Sequence, residues 1–258
     1  MADARRVPRP AGPRLLAAKG LAGGRVDPLE RLSSPAPEFL DRLAASTRAL
    51  HWLVALPVLL LLLTGLTNFW PELKALHVGG ARVFAWLHVL IGLGFAVALV
   101  PSVIAILMRR AARRDARELL AFGLDDYLWL QHRVLRAAGL RSVGPRVGKF
   151  NAGQKLNAVL SAAATAALMG TGVVLGVNYW SKDVFDVDLV GAVFRWHTVL
   201  SVLLLPLIAG HLYMALLNPG TRESLRGVTT GRVRRSWAER HHGAWADRVR
   251  EERRAGEG

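Results

Sequence analysis

The chain has 258 residues, 52% of them hydrophobic, and a formal net charge of +15. A soluble domain rarely combines that apolar content with that charge, whereas a basic membrane protein does. There is no cysteine, so disulfides, thiolate-held metals and iron–sulfur clusters are excluded and any redox cofactor must be held by other side chains.

Residues 1–45 carry scattered prolines and basic side chains and read as a largely disordered arm. No apolar h-region precedes the first span, which is expected to act as its own insertion signal. The stretch 38–47 fits a short helix along the membrane surface. Charge is then absent from 49–71, 83–108, 156–181 and 196–221, each window longer than the roughly 20 apolar residues a transmembrane helix needs. The expected fold is an all-α membrane protein, a four-transmembrane-helix bundle over 46–221 with spans at about 46–70, 81–108, 154–178 and 193–217.

The connection 109–155 is too long for a turn and is expected to carry a short helix. It closes with Gly148-Lys149-Phe150-Asn151-Ala152-Gly153-Gln154-Lys155. The third span is rich in Ala and Gly, including Gly170, Gly172 and Gly176, which permits close approach of a helix or a flat macrocycle. Residues 222–258 form a basic, helix-prone tail. Lys and Arg number nine in residues 1–48, eleven in 109–155 and ten from 222 onward, against only Lys74, Arg82, Lys182 and Arg195 in the other two connections. Thirty against four places both termini and the central connection in the cytoplasm. The basic excess then faces anionic lipid headgroups, and nucleic acid is not expected as a partner.

Four histidines fall within the spans: His51, His88, His197 and His211. The last two are fourteen positions apart on one helix, which is about 21 Å of rise and within about 40° of one face. An imidazole in lipid needs a partner for its ring nitrogens, and haem iron supplies one. Depth pairs His51 with His211 at the inner level and His88 with His197 at the outer level, so the expectation is two stacked haems. A proton relay would be expected to include Asp or Glu within the spans, and the charge-free windows hold none. His77, His132, His241 and His242 lie in connections or the tail and are expected to pack at the surface or meet headgroups.

The residues Arg48-Ala49-Leu50-His51-Trp52, Ala85-Trp86-Leu87-His88, the segment Gly148–Lys155, His211-Leu212-Tyr213-Met214-Ala215 and Arg235-Ser236-Trp237-Ala238-Glu239-Arg240-His241-His242 together resemble the gamma (cytochrome b) subunit of respiratory formate dehydrogenase. The four histidines alone fit the b-type cytochromes of nickel–iron hydrogenases and thiosulfate reductases as well, or a membrane anchor without redox role; the Gly148–Lys155 segment and the tail favour the formate dehydrogenase branch. The resemblance implies a multi-pass protein of the bacterial inner membrane. It also implies two haems b and a quinone (menaquinone or ubiquinone) beside the inner haem, with Asn151 contacting the quinone and Gly153 and Gln154 as further candidates. Its implied partners are an iron–sulfur subunit and a molybdenum or tungsten catalytic subunit. An interfacial helix cap is the alternative role for Asn151.

Overall fold

The computed structural model describes residues 38–78, 81–182 and 184–257. Four of its helices are long and apolar enough to cross a membrane: Ala45–Leu66, Val83–Leu107, Ala152–Trp180 and Val187–Leu217. In hydrocarbon each backbone N–H and C=O must find its partner within the protein, which an α-helix achieves unaided. Their mean hydropathies lie between 1.9 and 2.6, and large apolar side chains such as Leu56, Leu63, Val97, Ile104 and Leu203 point outward, as lipid-facing surfaces require.

The number of spans matches the expectation, but their ends shift. The fourth starts at Val187 rather than 193, because Asp186 caps it by accepting from the Asp188 N–H at 2.8 Å. The turns ahead of the charge-free window carry Asp188 and Arg195, so that window understates the helix. At its other end the fourth span loosens into a π-helical turn, Tyr213–Leu217, which begins two residues after His211. The third span begins at Ala152, where Asn151 and Gln154 form a reciprocal cap: Asn151 Oδ1 accepts from Gln154 N at 2.9 Å and Gln154 Oε1 from Asn151 N at 3.1 Å. The second span is closed by Arg113, whose guanidinium donates to the Leu107 and Met108 carbonyls, both at 2.8 Å, placing a cation at the negative end of the helix dipole.

Close backbone packing joins the first span to the second, the second to the third and the third to the fourth. Among the described residues the fourth span makes no comparable backbone packing with the first or the second. Contact across that space is made by side chains: Val58, Phe95 and Leu204 form a buried centre, with Val54, Leu61, Leu99, Ala164, Leu168 and Leu207 around it. Leu204 lies midway in sequence between His197 and His211, so this apolar layer separates the two histidine levels.

The central connection carries two helices rather than one, Arg110–Leu120 and Leu124–Ala137. The stretch expected as a surface helix over 38–47 is instead a strand, Phe39–Asp41, antiparallel to Arg232–Arg234 with Leu40 opposite Val233; the first span then begins at Ala45. Pairing with a segment almost two hundred residues away overrides local helix preference here. Gly231, at φ +86°, makes the left-handed turn from helix Glu223–Thr230 into that strand, and its carbonyl accepts from Arg42 and Leu43 N–H. Helices Arg235–His241 and Gly243–Glu257 complete a small second core of Leu40, Val233, Trp237, Ala238, Trp245 and Ala246. The tail is thus folded over one end of the bundle, called the tail end below; the opposite end is the far end. The disordered-arm expectation for residues 1–37 lies outside the described residues, while residues 38–44 belong to this packed tail end.

Candidate functional site

The four membrane histidines come together as two pairs. His51 of the first span faces His211 of the fourth toward the tail end, with ring centroids 6.2 Å apart. His88 of the second faces His197 of the fourth toward the far end, at 6.1 Å. Two imidazoles binding one metal from opposite sides, with metal–nitrogen bonds of about 2.0 Å, place their ring centroids about 6 Å apart. Both pairs have that separation. The helices that carry each pair are also the ones that do not pack closely backbone to backbone. Among the described residues no group of three or more His, Cys, Asp or Glu gathers to hold a bare metal ion. Paired donors instead suit an iron whose remaining ligands belong to a macrocycle, so the residues present fit haem.

The far-end rings are held from behind. Thr64 Oγ1 lies 3.0 Å from His88 Nδ1, and Thr171 Oγ1 lies 2.9 Å from His197 Nδ1. Each hydroxyl also donates to a carbonyl one turn earlier, Leu60 at 2.8 Å and Ala167 at 2.9 Å. A carbonyl can only accept, so the hydroxyl proton goes there and the imidazole Nδ1–H is the donor to the oxygen. Nε2 therefore carries the lone pair in both rings. The residue after each threonine is glycine, and a Cβ at Gly65 or Gly172 would come within 3.4 or 3.3 Å of the Cε1 of His88 or His197.

The tail-end rings differ. His51 Nδ1 is buried and has no hydrogen-bond partner among the described residues, and the exposed His211 lies in the α-helix two residues before the π-helical turn. The same end of the bundle carries a polar frame. Asp115 accepts from Ala44 N at 3.1 Å and Thr47 Oγ1 at 2.6 Å, thereby capping the first span. Its other oxygen pairs with Lys149 at 2.5 Å, and both side chains are buried. Lys155 forms a second pair with Asp126 at 2.8 Å.

Arg42 is buried among Trp237, Trp245 and Phe150, its guanidinium carbon 5.0 Å from the Trp237 ring centroid. It donates to the Lys149 carbonyl at 2.9 Å and to His242 Nε2 at 3.2 Å. His242 Nδ1–H then donates to the Gly148 carbonyl at 2.8 Å. Burial, reinforced by the Arg42 charge, pushes the His242 imidazole down to about 3, so it stays neutral; burial alone brings Arg42 down to about 10. His242, expected at the surface, is 2% exposed and ties the tail to the segment Gly148–Lys155.

The other sequence candidates lie in that segment. Asn151 caps the third span through its Oδ1, which leaves its amide N–H groups as donors. Gln154 Oε1 is occupied by the same cap. Gly153 receives the Trp129 ring, which a Cβ would meet at 3.2 Å. His77, His132 and His241 join neither pair: His77 sits on the strand His77–Val78, His132 packs beside Gly144, and His241 stacks on Trp237. Sequence reading did not find Thr64, Thr171, Arg42 or Asp115. The visible signal for the first two was a Thr-Gly dipeptide in each of two apolar spans.

Comparison with known proteins gives the chain relatives and a family. The chain is 28% identical over 200 residues to the cytochrome b556 subunit of nitrate-inducible formate dehydrogenase from Escherichia coli strain K12, covering 77% of this chain and 86% of that protein. The same figures hold for the counterpart in Shigella flexneri. A formate dehydrogenase cytochrome b556 subunit from Haemophilus influenzae is 25% identical over 201 residues, 77% of this chain and 78% of that one. The description of the prokaryotic cytochrome b561 family matches residues 42–231, which include all four paired histidines and end at the Gly231 turn. The chain is therefore a multi-pass membrane protein that belongs to the prokaryotic cytochrome b561 family.

Proposed function

We propose that this chain is the membrane-anchoring dihaem cytochrome b subunit of a formate dehydrogenase complex, passing electrons from a partner iron–sulfur subunit to quinone. The observation that carries the reading is the presence of two histidine pairs at different depths, both with the ring separation that one shared metal imposes. His51 and His211 would hold one haem b and His88 and His197 the other; bound there, the iron supplies one-electron transfer. The relatives that are formate dehydrogenase cytochrome b556 subunits support the choice of partners, a molybdenum- or tungsten-containing catalytic subunit and an iron–sulfur subunit. On this reading formate oxidation itself belongs to the catalytic partner.

The distribution of Lys and Arg supports a topology with both termini and the central connection on the cytoplasmic side of a bacterial inner membrane. The far-end pair then faces the partner across the outer surface, and the tail-end pair lies near the cytoplasm. Asn151 enters the third span at the tail end, where its free amide N–H can donate to a quinone carbonyl while its Oδ1 remains in the cap. Gly153 and Gln154 shape the same corner. Water on the cytoplasmic side provides the protons that quinone reduction consumes.

A reduced-minus-oxidised visible spectrum of the purified complex tests the reading. The expected result is b-type haem extractable by acid acetone, since the chain has no cysteine for covalent attachment. Mass spectrometry of the copurifying subunits should then find a formate-oxidising partner. Absence of haem, or copurification with a hydrogenase instead, would overturn it.

A further inference from the structure

The far-end histidines are supported by the same device built twice, on different helices. Thr64 of the first span backs His88 of the second, and Thr171 of the third backs His197 of the fourth, with Nδ1 to Oγ1 separations of 3.0 and 2.9 Å. Both hydroxyls are anchored to a carbonyl of their own helix, so each presents a lone pair in a fixed direction. In both cases the next residue is glycine, and a Cβ there would stand 3.4 Å from the His88 ring edge at Gly65 and a tighter 3.3 Å from the His197 ring edge at Gly172. One such contact is common, since Thr in a helix often bonds back to its preceding turn. Two, one behind each member of a pair and neither behind the other pair, form a pattern that packing alone does not require.

An imidazole whose Nδ1–H is donated to an acceptor is fixed in one tautomer and one ring orientation, and its Nε2 becomes a stronger base. A stronger donor stabilises the more highly charged oxidised state of the metal it binds. We propose that Thr64 and Thr171 are positioning residues for the far-end pair, and that the two Thr-Gly elements hold the far-end haem at a lower potential than it would otherwise have. This rests on the dihaem reading above. It adds an energetic direction: the far-end site becomes the better electron donor, while His51 Nδ1, with no hydrogen-bond partner among the described residues, gives the tail-end site no equivalent push.

The test uses the whole complex with Thr64→Val and Thr171→Val, each nearly isosteric, and Thr64→Ser and Thr171→Ser as hydroxyl-retaining controls. Both haems are titrated by optical redox potentiometry, and His88→Ala identifies which component belongs to the far end. Each Val variant should raise the far-end midpoint by up to about tenfold in the reduction equilibrium, which is about 59 mV for one electron. The tail-end midpoint should not move, and the Ser variants should behave as wild type. Loss of the far-end haem in a Val variant with retention in the matching Ser variant also supports the proposal. An unchanged far-end midpoint, equal shifts at both sites, or failure of Ser to restore wild-type behaviour would overturn it. A wild-type complex lacking two haems would instead overturn the dihaem reading, so the two failures are distinguishable.

Discussion

The far-end and tail-end histidine pairs share a ring separation and one helix, yet they are supported in opposite ways. At the far end the support comes from within the spans: a threonine one helix away accepts each Nδ1–H, and a glycine makes room for the ring. At the tail end His51 Nδ1 has no such acceptor among the described residues, and order comes from residues that fold over the bundle. Asp115 caps the first span and pairs with Lys149, Arg42 sits among three aromatic rings, and His242 bridges to Gly148. The Trp52 indole N–H, next to His51, donates to the Val228 carbonyl at 3.3 Å. The far end is thus fixed locally, whereas the tail end depends on segments more than a hundred residues apart. On the proposed reading, the end built in the second way is the one that admits quinone and protons, and the end built in the first way only relays electrons.

The sharpest way to separate the two ends is to remove a ligand from each. His88→Ala or His197→Ala should abolish the far-end haem and stop electron entry while the tail-end spectrum persists. His51→Ala or His211→Ala should do the converse. If His88→Ala and His51→Ala depleted the same spectral component, pairing by depth would be wrong.

Next in size is the tail-end frame. Asp115→Ala leaves Lys149 buried without its counter-charge and removes the acceptor for Ala44 and Thr47, a loss on the order of 3–5 kcal/mol. Thermal unfolding in detergent should show it, and the tail-end haem should become more labile than the far-end one. Equal lability at both ends would mean that the frame does not support the tail-end site selectively.

A smaller effect concerns acid. His242 has its folded pKa depressed to about 3, well below its ordinary 6.5. The unfolded chain therefore binds a proton that the folded chain refuses as pH falls below 6.5. Its stabilising contribution is complete above that pH and declines by about 1.4 kcal/mol per unit on the way down to about 3. His242→Gln should flatten this acid slope of the unfolding midpoint between pH 6.5 and 5. An unchanged slope would assign the acid sensitivity to other groups.

Smallest is Asn151→Ala. Loss of the cap costs roughly 1 kcal/mol, and loss of a single hydrogen bond to quinone is of similar size. Both haems should stay bound and reducible by the partner while quinol formation slows several-fold. Haem reduction and quinol production followed in one membrane preparation would show this; normal quinol formation would leave Asn151 as a cap alone.

Much of this could be read before any coordinates. Long charge-free windows announce spans because lipid excludes unpaired charge, and helical rise converts the spacing of His197 and His211 into depth. The reading failed where long-range structure decides. A strand at Leu40 needs Val233 as its partner, and a buried Arg42 needs the aromatic rings of the tail. His242 looked like a surface residue for the same reason, since nothing local shows that Gly148 and Arg42 will enclose it. Asn151 was legible in part: the spacing Asn151 to Gln154 is a capping signature, and the structure forms that cap. The threonines fell between these cases. Their Thr-Gly dipeptides are visible in the sequence, but their meaning appears only once the neighbouring helix supplies a histidine.

The central claim is that four histidines form two independent haem sites, and double substitutions test it most directly. Haem per chain is measured by pyridine haemochrome in the wild type, in His88→Ala/His197→Ala, in His51→Ala/His211→Ala and in His51→Ala/His88→Ala. The account predicts two haems in the wild type, one in each within-pair double variant and none in the across-pair variant. One haem retained in the across-pair variant, or none in either within-pair variant, would contradict it.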